Sequence, residues 1–536
     1  MQVRPRGGVG EVGRSCLHVE AGPHDVLVDC GIKQSHVTEY PDFSGLDTGE
    51  VDAVFCTHAH VDHIGALPVA EARGLLAEDA PVIATRPTDA LAAVMLWDSL
   101  KLHRMEADER GVPPQYDEAD VEAVLDRIEG VPYGQHTYRD VGYEFGSAGH
   151  LLGSAWLALE HEGARLLVSG DLGGRSGHLP DIAAPPTADA LFLESTYGDT
   201  LTHPSFTDAR TEVFETAVSA ASDGVPVLVP SFGMGRAQEL LQVFREREPQ
   251  IPDDVTLVYD GLMEDSMNVY HAFASDPWVN DAVVNYKVNS GDTTPFLPEC
   301  ASKPASMDDR EALLDGDRTP IIVAPSGMLT GGWSPFYLWK LTERCADARV
   351  LFVGYQAAGT PGRALLEEPG DVATVTVSAL MYPEEADRPT EAILADRRPD
   401  ADPAAYDGQD NDLYDFYEKS IEVPTAWVRE VGGLSGHAAA NTLLQFARDA
   451  GAPQVHLVHG DPAVGEQLAA HLEGNVDAET VRVAEAMETV SVSASGAGDS
   501  LRAELDEIRA ERERLADDLE ALDDRIAALE NRVERE

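Results

Sequence analysis

Along the first 200 residues, short apolar runs alternate with clusters of Gly, Asp and His. Residues 26–28, 53–56, 166–168 and 191–193 have the length and content of buried strands, and each ends in a polar cluster. Between them, helical patterns cover 88–104 and 117–128. Strands that alternate with helices predict an α/β arrangement, and polar chemistry just past strand ends is where such sheets carry their sites.

From about residue 205 the pattern becomes more regularly βαβ. It predicts a helix over 206–221, a strand over 226–229, a helix over 237–244 and a strand over 256–259. Buried strands follow at 321–324 and 351–353, each before a Gly-rich turn. Residues 383–423 are rich in Asp, Pro and Ala with little apolar periodicity, and read as an exposed acidic insertion or linker. Order resumes over 427–434, with a helix at 439–450 and a strand at 454–458. After a Ser, Ala and Gly tract at 491–500, heptads begin. Leu501, Ile508, Leu515, Leu522 and Leu529 fall at d, and Leu505, Arg512, Leu519, Ile526 and Val533 at a. That seam predicts a C-terminal coiled coil and a homodimer or low-order oligomer, with a different helical partner as the alternative.

Charge changes the picture more than composition does. Hydrophobic residues at 43% and charged residues at 25% are ordinary for a globular chain, and 536 residues allow two or three domains. Against 95 Asp and Glu stand 39 Lys and Arg, only six of them Lys, for a net charge of −56. Such a surface suits a cytosol of very high salt, where screening removes self-repulsion, so a halophile is the expected source. The competing reading is an acidic protein that repels nucleic acid. Five cysteines, Cys16, Cys30, Cys56, Cys300 and Cys345, form no CxxC and suggest a reducing compartment. No basic-then-apolar leader and no run approaching eighteen apolar residues is present, so the expectation is a cytoplasmic chain without membrane contact.

The densest chemistry is THAHVDH at 57–63, directly after an apolar strand. His58 and His60 alternate on extended backbone, and Asp62 and His63 are adjacent at a helix start, so four ligands can converge from one loop. Imidazole and carboxylate suit Zn²⁺ or Mn²⁺, and the absence of thiolates disfavours an iron–sulfur site. A polar loop with a capping Asp and surface His is the bland alternative. His150 in SAGHLLGS and Asp171 in SGDLG, taken singly, read as turn residues.

In order and context these segments resemble the metallo-β-lactamase superfamily, whose hallmark is HxHxDH followed by a distant His, a distant Asp and a final His. Asp29 in LVDCG matches its early acidic motif. Glu194 in LESTYGD, His437 in GLSGHAAA and His459 in LVHGD match the further motifs of the β-CASP nucleases, in which a second α/β domain is inserted into that fold. The likeness covers roughly residues 1 to 475. EVGRSC, PSFGMGRAQEL, PSGMLTGG and GYQAAGTPGR are more similar to the archaeal relatives of the cleavage and polyadenylation specificity factor nuclease than to ribonuclease J. Two departures stand out: Ala438, Ala439 and Ala440 follow the motif His, and the acidic insertion is long.

The resemblance implies an αββα metallo-β-lactamase sandwich with an inserted β-CASP domain. Its expected extents are 1–200 and 427–490 for the sandwich, 201–375 for the β-CASP domain, 376–426 for the acidic linker, and 491–536 for a second linker and the coiled coil. It further implies two Zn²⁺, with Mn²⁺ as the alternative. His58, His60 and His150 would hold one and Asp62, His63 and His459 the other, with Asp171 bridging. Asp29 would orient a ligand imidazole, and His437 would act as general acid with Glu194 orienting it. The Gly-rich turns offer backbone N–H groups to phosphate, so Ser231, Gly233, Gly235, Arg236, Ser326, Gly327, Thr360 and Arg363 are the expected track for single-stranded RNA. In high salt, stacking must carry more of that binding. The implied activity is hydrolysis of RNA to 5′-phosphate and 3′-hydroxyl products in 3′-end processing or decay, with RNA-processing or transcription-termination partners. A 5′-to-3′ exoribonuclease of ribonuclease J type, a small-molecule hydrolase and a non-catalytic subunit of a processing complex are the alternatives.

Overall fold

The computed structural model describes residues 1–34, 37–357, 359–381 and 415–494, and all structural statements concern these. Two seven-stranded sheets form the first lobe. One runs Val490–Ser491, Gln2–Gly7, Cys16–Ala21, His24–Val28, Ala53–Phe55, Val82–Thr85, Ile128–Val131. The other runs Thr480–Val483, Gln454–Val458, Ala190–Glu194, Ala164–Val168, Ala155–His161, Val141–Ser147, Gly134–Tyr138.

The apolar runs are continuous because both faces of each central strand are covered. Val26 and Val28 enter the layer between the sheets with Phe55, Phe145, Leu157 and Phe192, while Leu27 and Val54 face the opposite side. Leu166 and Val168 likewise point into the sandwich, and Leu167 points out to the helices. The helix Ala440–Ala450 repeats buried Leu443, Leu444, Ala447 and Ala450 at helical spacing, and stops at Gly451 with φ 55°. It packs with Leu468 and Leu472 on Leu167, Leu191 and Leu457, which completes the αββα layering.

The second lobe holds a six-stranded parallel sheet in the order Ala301–Ser302, Val255–Tyr259, Thr319–Ala324, Val227–Pro230, Arg349–Phe352, Val428–Glu430. One apolar cluster passes without a break from Leu91, Leu151 and Leu152 in the first lobe to Leu240, Tyr270 and Phe296 in the second. This shared core sets how the lobes face each other.

The structure corrects three expected boundaries. The ends of the supposed acidic linker 376–426 are strands: Val372–Met381 pairs antiparallel with Asp415–Pro424 over ten residues. Ala373, Val375, Val377, Tyr417, Ile421 and Val423 bury one face of this hairpin in the core of the second lobe. Acidic residues such as Glu418 and Glu422 take alternate positions and conceal the period of two. Val428–Glu430 closes the edge of the second sheet, so the return to the first lobe begins after residue 430 and not at 427. At the far end, Ser491 pairs with Gln2, and Val492 and Met1 exchange backbone hydrogen bonds, so the strand continues past the expected limit at 490. The middle of the acidic segment and the expected coiled coil lie outside the described residues. No helix among the described residues is long and apolar enough to cross a membrane.

Candidate metal centre

Asp29, the 57–63 loop, His150, Asp171 and His459 each follow the carboxyl end of a strand, and Glu194 ends one. The loops meet because small residues let their backbones touch. A Cβ on Gly31 would lie 1.7 Å from the Asp62 carbonyl oxygen, and one on Gly173 would lie 1.9 Å from that of Gly149. His60 caps the four-residue helix Val61–Ile64, so the cluster turns from extended to helical backbone between His60 and Asp62.

The imidazoles are oriented from behind. His63 Nδ1 lies 2.7 Å from Asp29 Oδ2, and His150 Nδ1 lies 2.8 Å from the Gly436 carbonyl oxygen. Thr57 donates its hydroxyl to Asp29 and lies 3.1 Å from His58 Nδ1. With an acceptor behind each Nδ1, the Nε2 lone pair of each of the three rings faces forward. There His58 Nε2 and His150 Nε2 both approach His60 Nδ1 at 3.1 Å, and Asp171 Oδ2 lies 3.6 Å from each of the first two. Asp171 Oδ1 turns to the other side, 2.8 Å from His459 Nδ1 and 3.3 Å from His63 Nε2. Asp62 Oδ2 is 3.3 Å from His459 Nε2.

The donors therefore form two groups, His58, His60, His150 and Asp171, and Asp62, His63 and His459, each with ligand atoms within 4.8 Å of one another. They fit divalent cations on two grounds. Three ring nitrogens converge in the first group, where a single proton could serve only one pair. In the second, His63 Nε2 and His459 Nε2 are buried and make no hydrogen bond, although a carboxylate oxygen stands 3.3 Å from each.

Electrostatics separates the rings. Burial, with a further push from neighbouring imidazoles, holds His58 and His150 well below the ordinary histidine value, and His60 is lowered mainly by burial, which leaves these rings neutral donors. Burial also opposes charge on His437, but Glu194 and Asp171 overcome it and raise His437 to about 9. Asp171 is held well below the carboxylate range because its histidine neighbours outweigh its burial.

His437 sits beside both groups. Its Nδ1 is 3.3 Å from Glu194 Oε1 and 3.9 Å from Asp171 Oδ2. Glu194 is fully buried and fixed by the backbone N–H groups of Leu172 and Thr196. The expected RNA track is less uniform. Arg236 is 8% exposed and donates to the carbonyl oxygens of Leu434 and Ser435, so it supports the His437 loop and is not an open phosphate fork. Ser231 is buried, and Gly233 and Gly235 carry the turn into the helix Arg236–Glu246. Ser326 accepts from Thr330 N–H, Gly327 lies against Phe232, and Thr360 caps the helix Pro361–Glu367. Arg363 is exposed and paired with Glu367.

Three supporting residues escaped the sequence reading. Thr57 lies inside the quoted cluster, but its role depends on Asp29, distant in sequence. His203 Nε2 holds the His437 carbonyl oxygen, and Tyr197 stacks edge-on with His203 at 5.0 Å. Tyr197 lies inside the quoted LESTYGD segment but its role depends on distant His203, and nothing local marks His203.

Fold and donors together define a metallo-β-lactamase-type protein whose His and Asp cluster is able to hold divalent metal. The chain belongs to the β-CASP family of that fold. Residues 18–171 match the metallo-β-lactamase superfamily domain, 237–365 the Beta-Casp domain, and 420–484 the Zn-dependent metallo-hydrolase RNA specificity domain. Ribonuclease TTHA0252 of Thermus thermophilus is 32% identical over 480 residues, 88% of this chain and 96% of its own length. Transcription termination factor FttA of Methanocaldococcus jannaschii is 35% identical over 370 residues, 67% of this chain but 56% of FttA, so the chain spans little more than half of that relative. The cleavage and polyadenylation specificity factor 73 of Drosophila melanogaster is 32% identical over 399 residues, 70% of this chain and 54% of its own length.

Proposed function

We propose that this protein is a metal-dependent ribonuclease that cleaves phosphodiester bonds of single-stranded RNA to 5′-phosphate and 3′-hydroxyl ends, in 3′-end processing, decay or transcription termination. The observation that carries the reading is the division of the Asp171 carboxylate. One oxygen faces His58 and His150, the other His63 and His459, with His437 alongside. One cation would be held by His58, His60, His150 and Asp171, and a second by Asp62, His63, His459 and Asp171. Zn²⁺ is the first choice for so imidazole-rich a set, and Mn²⁺ the second. When bound, such cations supply Lewis-acid polarisation of a phosphoryl oxygen and a nucleophile from water at neutral pH.

The protein's own groups do the rest. Asp29, Thr57 and the Gly436 carbonyl hold three imidazoles in the tautomer that offers Nε2. Glu194 fixes Nδ1 of His437, whose side chain is 19% exposed and can bring a proton to the departing 3′ oxygen. The names of the three relatives, a ribonuclease, a transcription termination factor and a cleavage and polyadenylation specificity factor, support RNA as substrate. Purified protein incubated with 5′-labelled and internally labelled RNA in molar KCl, with and without chelator, tests the reading. Chelator-sensitive cleavage to 5′-phosphate products is expected, and RNA left intact with every divalent metal would refute it. Release of mononucleotides from the 5′ label in place of internal fragments would assign the 5′-to-3′ exonuclease alternative.

A further inference from the structure

Phe232, Tyr355, Trp97 and Tyr286 are the exposed large aromatic side chains among the described residues. Two of them stand beside the candidate centre. The Tyr355 ring meets Tyr197 edge-on at 5.8 Å, and Tyr197 in turn lies 6.3 Å from the His437 ring. Phe232 lies against the residue before Tyr355: a Cβ on Gly354 would lie 3.7 Å from its ring, and one on Gly327 would lie 3.2 Å from it. Two Gly-rich turns thus hold this ring by close backbone approach, while Phe232 and Tyr355 remain 36% and 37% exposed.

We propose that Phe232 and Tyr355 form a stacking subsite for unpaired nucleobases of the strand whose phosphate lies at His437; this rests on the ribonuclease reading. Charge favours stacking over phosphate contact here. Arg236 is committed to backbone carbonyls, and Arg363 is paired with Glu367. The carboxylates of Asp461 and Asp199 lie near enough to Tyr355 for their charges to act on it, and offset the Arg363 guanidinium that does the same. A polyanion therefore finds little net attraction at this wall, and counterion release weakens further in concentrated salt. Stacking on an aromatic face needs no charge and accepts any base. The rings of His437, Tyr197 and Tyr355 follow one another, and Phe232 lies against the turn that carries Tyr355, so both exposed faces are within reach of one strand.

The test uses the full-length protein with bound divalent metal and short single-stranded RNA carrying one abasic position, moved along the strand. In the wild type, one or two abasic positions near the cleaved bond should raise KM roughly five- to hundredfold with kcat little changed. Tyr355→Ala and Phe232→Leu should raise KM for intact RNA by a similar factor and lose their sensitivity to the matching abasic position. Tyr355→Phe and Phe232→Tyr keep an aromatic face and should restore wild-type KM, which separates stacking from damage to the turns. Unchanged KM in Tyr355→Ala and Phe232→Leu, or an abasic series without a sensitive position, would overturn the subsite and assign the pair to a protein contact. Metal-dependent cleavage that persists in that case leaves the ribonuclease reading standing.

Discussion

Asp171 and His437 are close in space and differ in what their loss should do. Asp171 faces both donor groups, so Asp171→Ala should remove bound metal and cleavage together, as elemental analysis and an RNA assay on the same sample would report. His437 contacts Glu194 and packs 4.6 Å from the His150 ring, but it contributes no atom to either donor group. His437→Ala should therefore keep its metal while turnover falls roughly 10² to 10⁴-fold. An RNA with a better leaving group at the cleaved bond should recover part of that loss in the His437 variant and not in the Asp171 variant. Wild-type turnover in His437→Ala would reduce this residue to a turn-former.

At the scale of elements, the helix Arg236–Glu246 ties the second lobe to the site. The Arg236 guanidinium spans from that helix to the carbonyls of Leu434 and Ser435, three and two residues before His437. Arg236→Lys loses the Nη1–H donor held against the Leu434 carbonyl, and a charged hydrogen bond of about 1.5–3 kcal/mol corresponds to a roughly tenfold to hundredfold fall in kcat with KM nearly constant. A rise in KM alone would instead mark a direct phosphate contact. The strand Gln454–Val458 carries a separate liability. His456 is stacked on Phe192 at 5.0 Å, neither ring nitrogen has a hydrogen-bond partner, and burial aided by Arg482 lowers it to about 4. The unfolded chain takes up this proton near pH 6.5 and the folded chain only near 4. Stability should thus fall as pH drops through that window, by at most about 3 kcal/mol. His456→Phe should flatten the melting temperature between pH 6.5 and 4; an unchanged slope would mean that His456 does not set it.

For the whole molecule, the first strand and the strand Val490–Ser491 lie side by side in one sheet and the pairing runs to Val492, so chain removal must spare residues through 492. Truncation after Ala494 should leave cleavage of a short RNA intact, because every proposed ligand lies before residue 460. If the heptads drive assembly, the native mass in high salt should also fall, as light scattering would show. Retention of full oligomeric mass would assign assembly to the catalytic body.

Elements with a local signal could be read from the order of residues. Continuous apolar runs gave the buried strands, helical spacing gave 440–450 almost to the residue, and THAHVDH displayed four of the donor residues within seven positions. His150, Asp171, Glu194, His437 and His459 were legible only as motifs in a known order, since no local period brings residues hundreds of positions apart to one point. Bridging by Asp171 and orientation by Asp29 were expected from the motifs, but the packed structure supplied the atoms: which Asp171 oxygen faces which group, that His63 is the ring Asp29 holds, that Thr57 joins it behind His58, and that Arg236 serves a loop and not a phosphate. The hairpin of 372–381 and 415–424 is the clearest failure of local reading. Its outward acidic residues resemble those of a linker, and only the apolar cluster it covers reveals which face is buried. Composition reports the average of both faces of a strand, whereas packing depends on one.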